Sequence, residues 1–330
     1  MQRVQEVAGR VLASVERAIV GKRAEIRYLM AALLANRHVL IEDVPGVGKT
    51  TMVRALARSI DCTFRRIQFT PDLLPSDITG LAVYDPATRQ FTFRPGPIHS
   101  QVVLADEINR TSPKTQSALL EAMEEGQVTV DGQTYPLPRP FFVLATQNPI
   151  EYEGTFPLPE SQLDRFGLRI RLGYPHPAEE RAILDLHHGG RPVDGLEPVT
   201  TAEEILELQQ LVTQVHVDDS VKDYLVRIIQ ATRVHSAVYL GASPRASLSL
   251  YRLSQALAAI DGRCFVLPDD VKELAPLVLA HRLVLQPEAR WQDTDPEAVV
   301  REVLEHVPAP VERRVEQRRE RRIGGLLGRL

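Results

Sequence analysis

Up to about Tyr174, short unbroken apolar runs alternate with stretches whose apolar residues recur every three or four positions. That is the pattern of a parallel sheet covered by helices. Val39-Leu40-Ile41 is one such run and stops at the turn formers Asp43, Pro45 and Gly46; Val102 to Ala105 and Phe141 to Leu144 are two more. Being apolar at consecutive positions, they predict central strands buried on both faces. Between the last two, the spacing predicts a helix with Ser112 as N-cap and Pro113 at its first position. Leu119, Leu120 and Met123 form its stripe, and Gly126 lies past its end. Two alternating segments predict hairpins: residues 127–135, folded at Asp131-Gly132, and more loosely residues 83–93, folded over Asp85 to Gln90.

Past Tyr174 the strand signal disappears. Residues 178–186 read as a helix, broken by His188 to Pro192. Ile205, Leu208, Leu211 and Val212, and then Val221, Tyr224, Leu225 and Ile228, stand at helical spacing. A further helix has Ser243 as N-cap, Pro244 at its first position, Leu250, Leu253, Leu257 and Ile260 inward, and Gly262 as its stop. The expected architecture is an α/β core with a parallel sheet over residues 1–175 and a smaller all-helical unit over 176–290. A helical or basic tail follows over 291–330, whose Arg pairs between Glu312 and Arg322 read as a solvated helix or frayed end, with an acidic partner as the alternative.

Composition narrows the class. A chain of 330 residues suggests two domains, and 44% apolar with 25% charged residues excludes wholesale disorder. A net charge of −4, with no recognition helix or basic-aromatic patch, weighs against nucleic acid as partner. Cys62 and Cys264 cannot form a disulfide framework. No apolar run approaches the roughly 20 residues of a membrane span, and Met1 to Glu6 begins no signal peptide. A cytoplasmic location is therefore expected. The nine histidines lack metal-ligand spacing and read as surface or lid residues.

The chemistry concentrates at strand ends. His38 to Glu42 reads as a strand, Asp43 to Gly48 as a glycine-containing loop, and Lys49-Thr50-Thr51 as the start of a helix. Such a loop wraps a polyphosphate with backbone N–H groups, the lysine reaches β and γ oxygens, and Thr50 can ligate Mg²⁺. The strict pattern has glycine six residues before the lysine; this chain has Asp43. The strand Val102 to Ala105 ends in Asp106 and Glu107. Asp106 would hold Mg²⁺ through water and Glu107 would polarise the attacking water, because adjacent side chains at a strand end point apart. Asn148, at the tip of a third strand, can orient that water or touch the γ-phosphate; its alternative is an ordinary turn before Pro149.

Together these residues resemble the MoxR-type AAA+ ATPases. Asp43 to Thr50, through Pro45, Gly46, Val47, Gly48 and Lys49, is similar to that family's Walker A motif, missing glycine included, and Leu104 to Glu107 to its Walker B. Asp106 to Arg110, Gly154 to Phe166 and Phe69 to Gly80 add to the likeness, which runs from about Ile19 to Leu285. The resemblance implies that Asn148 is sensor 1, Arg165 the arginine finger, Arg245 sensor 2, and Val20-Gly21 the adenine contact. The two hairpins resemble the helix-2 insert and the insert before sensor 1. Arg245 lies in the first turn of its helix, where a cation opposes the macrodipole unless it faces a phosphate. Arg165 has an ion pair with Asp164 or Asp106 as its alternative, and Arg110 is its rival as finger.

An ATPase using Mg²⁺ is expected, and an arginine acting in trans demands a ring, by resemblance a homohexamer. Hydrolysis would pivot the lid, since Arg245 and Lys49 would grip the same phosphates. The family acts as chaperones that activate or mature other proteins, often with a von Willebrand factor A domain partner. Two other readings share these motifs: the ATPase subunit of a magnesium-chelatase-like complex, and an ATP-gated scaffold with little hydrolysis, against which Glu107 and Asn148 argue.

Overall fold

The computed structural model describes residues 1–87, 89–148, 155–187, 192–291 and 294–310. The break at His188 to Arg191, Pro149, Gly154 and the Arg-rich tail lie outside them. In chain order the elements begin with α1 (Gln2–Glu16), α2 (Arg23–Leu34), β1 (Val39–Glu42), α3 (Lys49–Ser59), β2 (Phe64–Gln68), α4 (Pro75–Thr79), β3 (Gly80–Asp85) and β4 (Gln90–Pro95). There follow β5 (Val102–Asp106), α5 (Pro113–Glu125), β6 (Gln127–Val130), β7 (Gln133–Pro136), β8 (Phe142–Gln147), α6 (Glu160–Leu163) and β9 (Leu168–Ile170). The C-terminal part holds α7 (Pro177–His187), α8 (Ala202–Val212), α9 (Asp219–Val234), β10 (Val238–Leu240), α10 (Pro244–Ile260), α11 (Pro268–Leu279), β11 (Val284–Leu285), α12 (Pro287–Trp291) and α13 (Pro296–His306).

The central sheet has the order β2-β5-β8-β1-β9, and every neighbouring pair is parallel. Side chains alternate across it. Val39, Ile41, Val102, Leu104, Phe142 and Leu144 join an apolar cluster with α1, α2 and α3, whereas Leu40, Val103, Ala105, Val143 and Ala145 join a second cluster with α5. Both faces are covered, as the unbroken apolar runs require. The predicted α5 forms with Ser112 accepting from the Thr115 amide and Gly126 ending it in the left-handed region. Both hairpins form, β3 with β4 and β6 with β7, and Phe93 of one stacks on Tyr135 of the other with centroids 3.8 Å apart.

The helical unit is not walled off from the core. The first apolar cluster runs on from α1 and α2 into Leu250, Leu253 and Leu257 of α10 and Leu274 of α11. Three features differ from the expectation. The edge strand β2 carries no apolar run. The helical unit contains the short antiparallel pair β10–β11. Residues 296–306, read as part of a helical or basic tail, form the helix α13, which packs against α9 and α11. No helix among the described residues is long and apolar enough to cross a membrane.

Candidate functional site

The parallel sheet sets the site by register. Gln68 stands beside Asp106, and Glu42 beside Gln147, so the carboxyl ends of four strands meet at one rim. Gly46 (φ 87°) and Gly48 (φ 91°) turn the loop after β1 through a conformation other residues adopt at a cost, and Gly48 caps α3. A cavity of about 340 Å³ joins Pro45, Gly46, Gly48, Lys49, Thr50 and Thr51 of this loop and helix to Asp106, Glu107 and Asn148. Nine residues predicted from three separate motifs thus line one space.

Asp43, the departure from the strict loop pattern, is nearly buried and fully used. Its carboxylate accepts from the amides of Val44 at 2.8 Å, Leu172 at 2.6 Å and Gly173 at 2.7 Å, while its carbonyl accepts from Lys49 Nζ at 2.8 Å. Lys22 Nζ donates to the Leu172 carbonyl at 2.5 Å. The segment leading from β9 to α7 is therefore clamped from the phosphate loop on one side and from the start of α2 on the other. Next door, burial works to raise the Glu42 pKa, but Arg169, Arg171 and Gln147 hold it below the usual carboxylate range.

Asp106 and Glu107 diverge as the strand geometry requires. Asp106 Oδ1 accepts from Thr146 Oγ1 at 2.6 Å, and its Oδ2 accepts from Arg66 Nε at 2.9 Å and Nη2 at 2.6 Å. Glu107 sits at φ 58°, a left-handed conformation that costs a non-glycine residue energy and recurs at active sites. Its amide donates to Thr146 Oγ1 at 2.9 Å, and its carboxylate accepts from Gln68 Nε2 at 2.6 Å and Arg110 Nη1 at 3.1 Å. Thr146, Arg66 and Gln68 escaped the sequence reading. Period-two alternation puts Arg66 and Gln68 on one side of β2, but only the register to β5 shows what they face.

Beside the phosphate cavity lies a smaller one of about 210 Å³, sharing Gly46, Gly48 and Thr51 with it and walled by Ile19, Val20, Val47, Ile183 and Leu186. Gly21 is not among its walls; a Cβ there would fall 2.0 Å from Glu179 Oε1, so its place is a close approach to α7.

The two remaining arginines are elsewhere. Arg165 Nη1 lies 3.2 Å from Glu124 Oε2, and Arg245 Nη2 lies 2.5 Å from Glu124 Oε1. They line a third cavity that has no residue in common with the phosphate cavity. Arg245 and Lys49 of one chain, expected to share an anchor, thus line separate cavities in this structure. Arg165 pairs with neither Asp164 nor Asp106. Asp164 instead takes Arg282 Nε at 2.8 Å and Ser243 Oγ, the cap of α10, at 2.9 Å. Arg110 reaches its own chain's Glu107.

The histidine reading also needs correction, since His281 is buried and half-buried His38 is held between elements: its Nε2 lies 3.0 Å from the Met123 carbonyl and its Nδ1 accepts from the Val143 amide at 3.1 Å. Among the described residues no three His, Cys, Asp or Glu cluster to hold a metal.

Known proteins share this fold. The profile of the ATPase family associated with various cellular activities (AAA) matches residues 38–168, and that of the AAA lid domain matches 230–303. The crystal structure of a proposed ATPase from Cytophaga hutchinsonii superposes with a TM-score of 0.87 at 36% identity, covering 94% of this chain and 98% of that one. The uncharacterized protein YeaC of Bacillus subtilis is 56% identical over 92% of this chain and 95% of its own. Chaperone MoxR1 of Mycobacterium tuberculosis is 45% identical over 91% of this chain and 82% of its own. The chain belongs to the MoxR family of AAA+ ATPases. Membership makes it a nucleotide-binding protein, and a MoxR-type core followed by an AAA lid accounts for the five-stranded sheet, the helical unit and the loop after β1.

Proposed function

We propose that this chain hydrolyses ATP to ADP and phosphate with Mg²⁺, in a homohexameric ring whose neighbouring subunits complete each site. The carrying observation is the separation of Arg165 and Arg245, gathered on Glu124, from the cavity of Lys49, Asp106 and Glu107. Two arginines held apart from their own chain's phosphate cavity are placed to serve a neighbour's.

In this reading the amides of the loop and Lys49 hold the polyphosphate, and Val20 with the apolar walls around it receives the adenine. The donor set fits Mg²⁺, because Thr50 and Asp106 supply hard oxygens along one cavity. Bound there, Mg²⁺ would neutralise charge on the β and γ oxygens. Glu107 Oε2 is held by Gln68 and Arg110, which leaves Oε1 to take the proton of the attacking water. Asn148 orients that water, and Arg165 offsets charge on the transferred phosphoryl. The chemical work is coupled to remodelling of partner proteins: MoxR1 is named a chaperone, and a von Willebrand factor A domain protein is the partner the family resemblance implies.

Lys49→Ala should abolish ATP binding in equilibrium titrations. Glu107→Gln should keep ATP bound, stabilise the ring in light scattering and lower turnover about 10²–10⁴-fold, the usual share of a general base. Normal turnover in the second variant would place water activation elsewhere; unchanged affinity in the first would end the phosphate-loop assignment.

A further inference from the structure

The cavity that holds Arg165 and Arg245 has a volume of about 470 Å³ and contains a third guanidinium, that of Arg37. The residue is placed rigidly. Its amide donates to the Ala32 carbonyl at the end of α2, Asn36 before it takes a left-handed turn, and its stem packs on Gly167 so closely that a Cβ there would lie 2.4 Å from Arg37 Cβ. Its head is not satisfied. Among the described residues Arg37 makes no side-chain hydrogen bond or ion pair, and its buried Nε lacks an acceptor, as does that of Arg165.

The surroundings worsen the position. Burial lowers the Arg37 pKa, and Arg252 and Arg245 push it the same way. The walls also carry Arg139, against two carboxylates, Glu124 and Glu125, the first already shared between Arg165 and Arg245. An arginine does not escape by losing its proton. A half-buried cation among other cations, with no acid of its own, is a cost to the isolated fold. An anion entering the cavity would offset it. Three guanidiniums converging on one space match the charge and many acceptor oxygens of a polyphosphate better than a single carboxylate.

We propose that Arg37 is a third arginine of the trans site, its guanidinium contacting the terminal phosphate of ATP bound to the neighbouring copy of this chain. The inference rests on the ring reading above and adds a residue to it. Arg165 and Arg245 come to the phosphate from the end of α6 and the first turn of α10; Arg37 comes from the base of β1, so core and lid both close on the neighbour's nucleotide.

Arg37→Gln tests it. At ring-forming concentration, turnover should fall at least about 10-fold, a modest share of the 10³–10⁵ attributed to trans arginines. Dilute subunits of the variant should bind ATP with unchanged affinity, and their melting temperature should hold or rise, because a half-buried charge without an acid partner has been removed. Mixing Arg37→Gln with Lys49→Ala subunits should restore part of the turnover, since the second supplies an intact Arg37 to the first. Full turnover in the variant alone overturns the proposal. So does a melting temperature several degrees lower, which would give Arg37 a structural role, or an absence of recovery in mixed rings verified by native mass spectrometry. The matched Arg165→Gln plus Lys49→Ala mixture separates the two levels: if it recovers and the Arg37 pair does not, only the Arg37 assignment falls, and if it also fails, the trans reading itself falls.

Discussion

His38 makes two hydrogen bonds that suit a neutral imidazole protonated on Nε2: that nitrogen faces the Met123 carbonyl, and Nδ1 accepts from the Val143 amide. Burial lowers its pKa to about 4; the Met123 contact opposes the shift and Arg37 adds to it. Unfolded, the group titrates near 6.5. Its contribution to stability is therefore complete above pH 6.5 and is lost as pH falls through 4, by up to about 3 kcal/mol. Buried His281, lowered by burial and by Arg282 and Arg169, acts with the same sign. Urea unfolding followed from pH 7 to pH 4 should show this decline, and His38→Phe should flatten it. At pH 7 the variant should lose roughly 1–3 kcal/mol, because the Val143 amide loses its acceptor; an equally steep decline without His38 would refute the assignment. A histidine at the start of an apolar strand gives no local sign of this, since its partners come from β8 and the end of α5. Lys49, Thr50, Asp106 and Glu107 could be grouped from strand ends and spacing alone, and the fold brings them to one cavity. Thr146, which bridges Asp106 and the Glu107 amide, could not be added to them, because that role exists only across the sheet.

At the scale of elements, the sheet strands read from the sequence were those with apolar residues on both faces, β1, β5 and β8, besides the two hairpins. Strand β2 was missed because it is an edge strand whose Arg66 and Gln68 serve the site, and β10 and β11 are too short for any periodicity to register. Asp43 is the opposite case, visible in the sequence as a departure and explained only by the segment that β9 sends past it. Replacing it with glycine would restore the strict loop pattern, yet should damage the protein. Three amide bonds to one buried carboxylate disappear, a loss on the order of 3 kcal/mol since such bonds are not additive. Amide exchange at Leu172 and Gly173 should accelerate, and turnover should fall several-fold with a smaller change in ATP affinity, because the loop keeps Lys49 and its amides. Unchanged exchange at those two residues would show that the clamp does not restrain the path from core to lid.

The whole molecule sets how Arg245 can act. Its lid packs on the core through an apolar cluster continuous from α1 and α2 into α10, and Asp164 pins both Ser243 and Arg282. Swinging Arg245 to its own phosphate loop would disturb this packing and break its contact with Glu124. Docking a second copy against the arginine cavity would leave this packing in place. Arg245 is therefore expected to work in trans, and the mixture of Lys49→Ala with Arg245→Ala subunits decides the matter. Each variant alone should turn over poorly. In an equal mixture with random assembly, about a quarter of the interfaces pair an intact phosphate loop with an intact Arg245, so turnover should recover toward that fraction. If Arg245 instead served the Lys49 of its own chain, every site in the mixture would lack one of the two, and no ratio of subunits would restore activity.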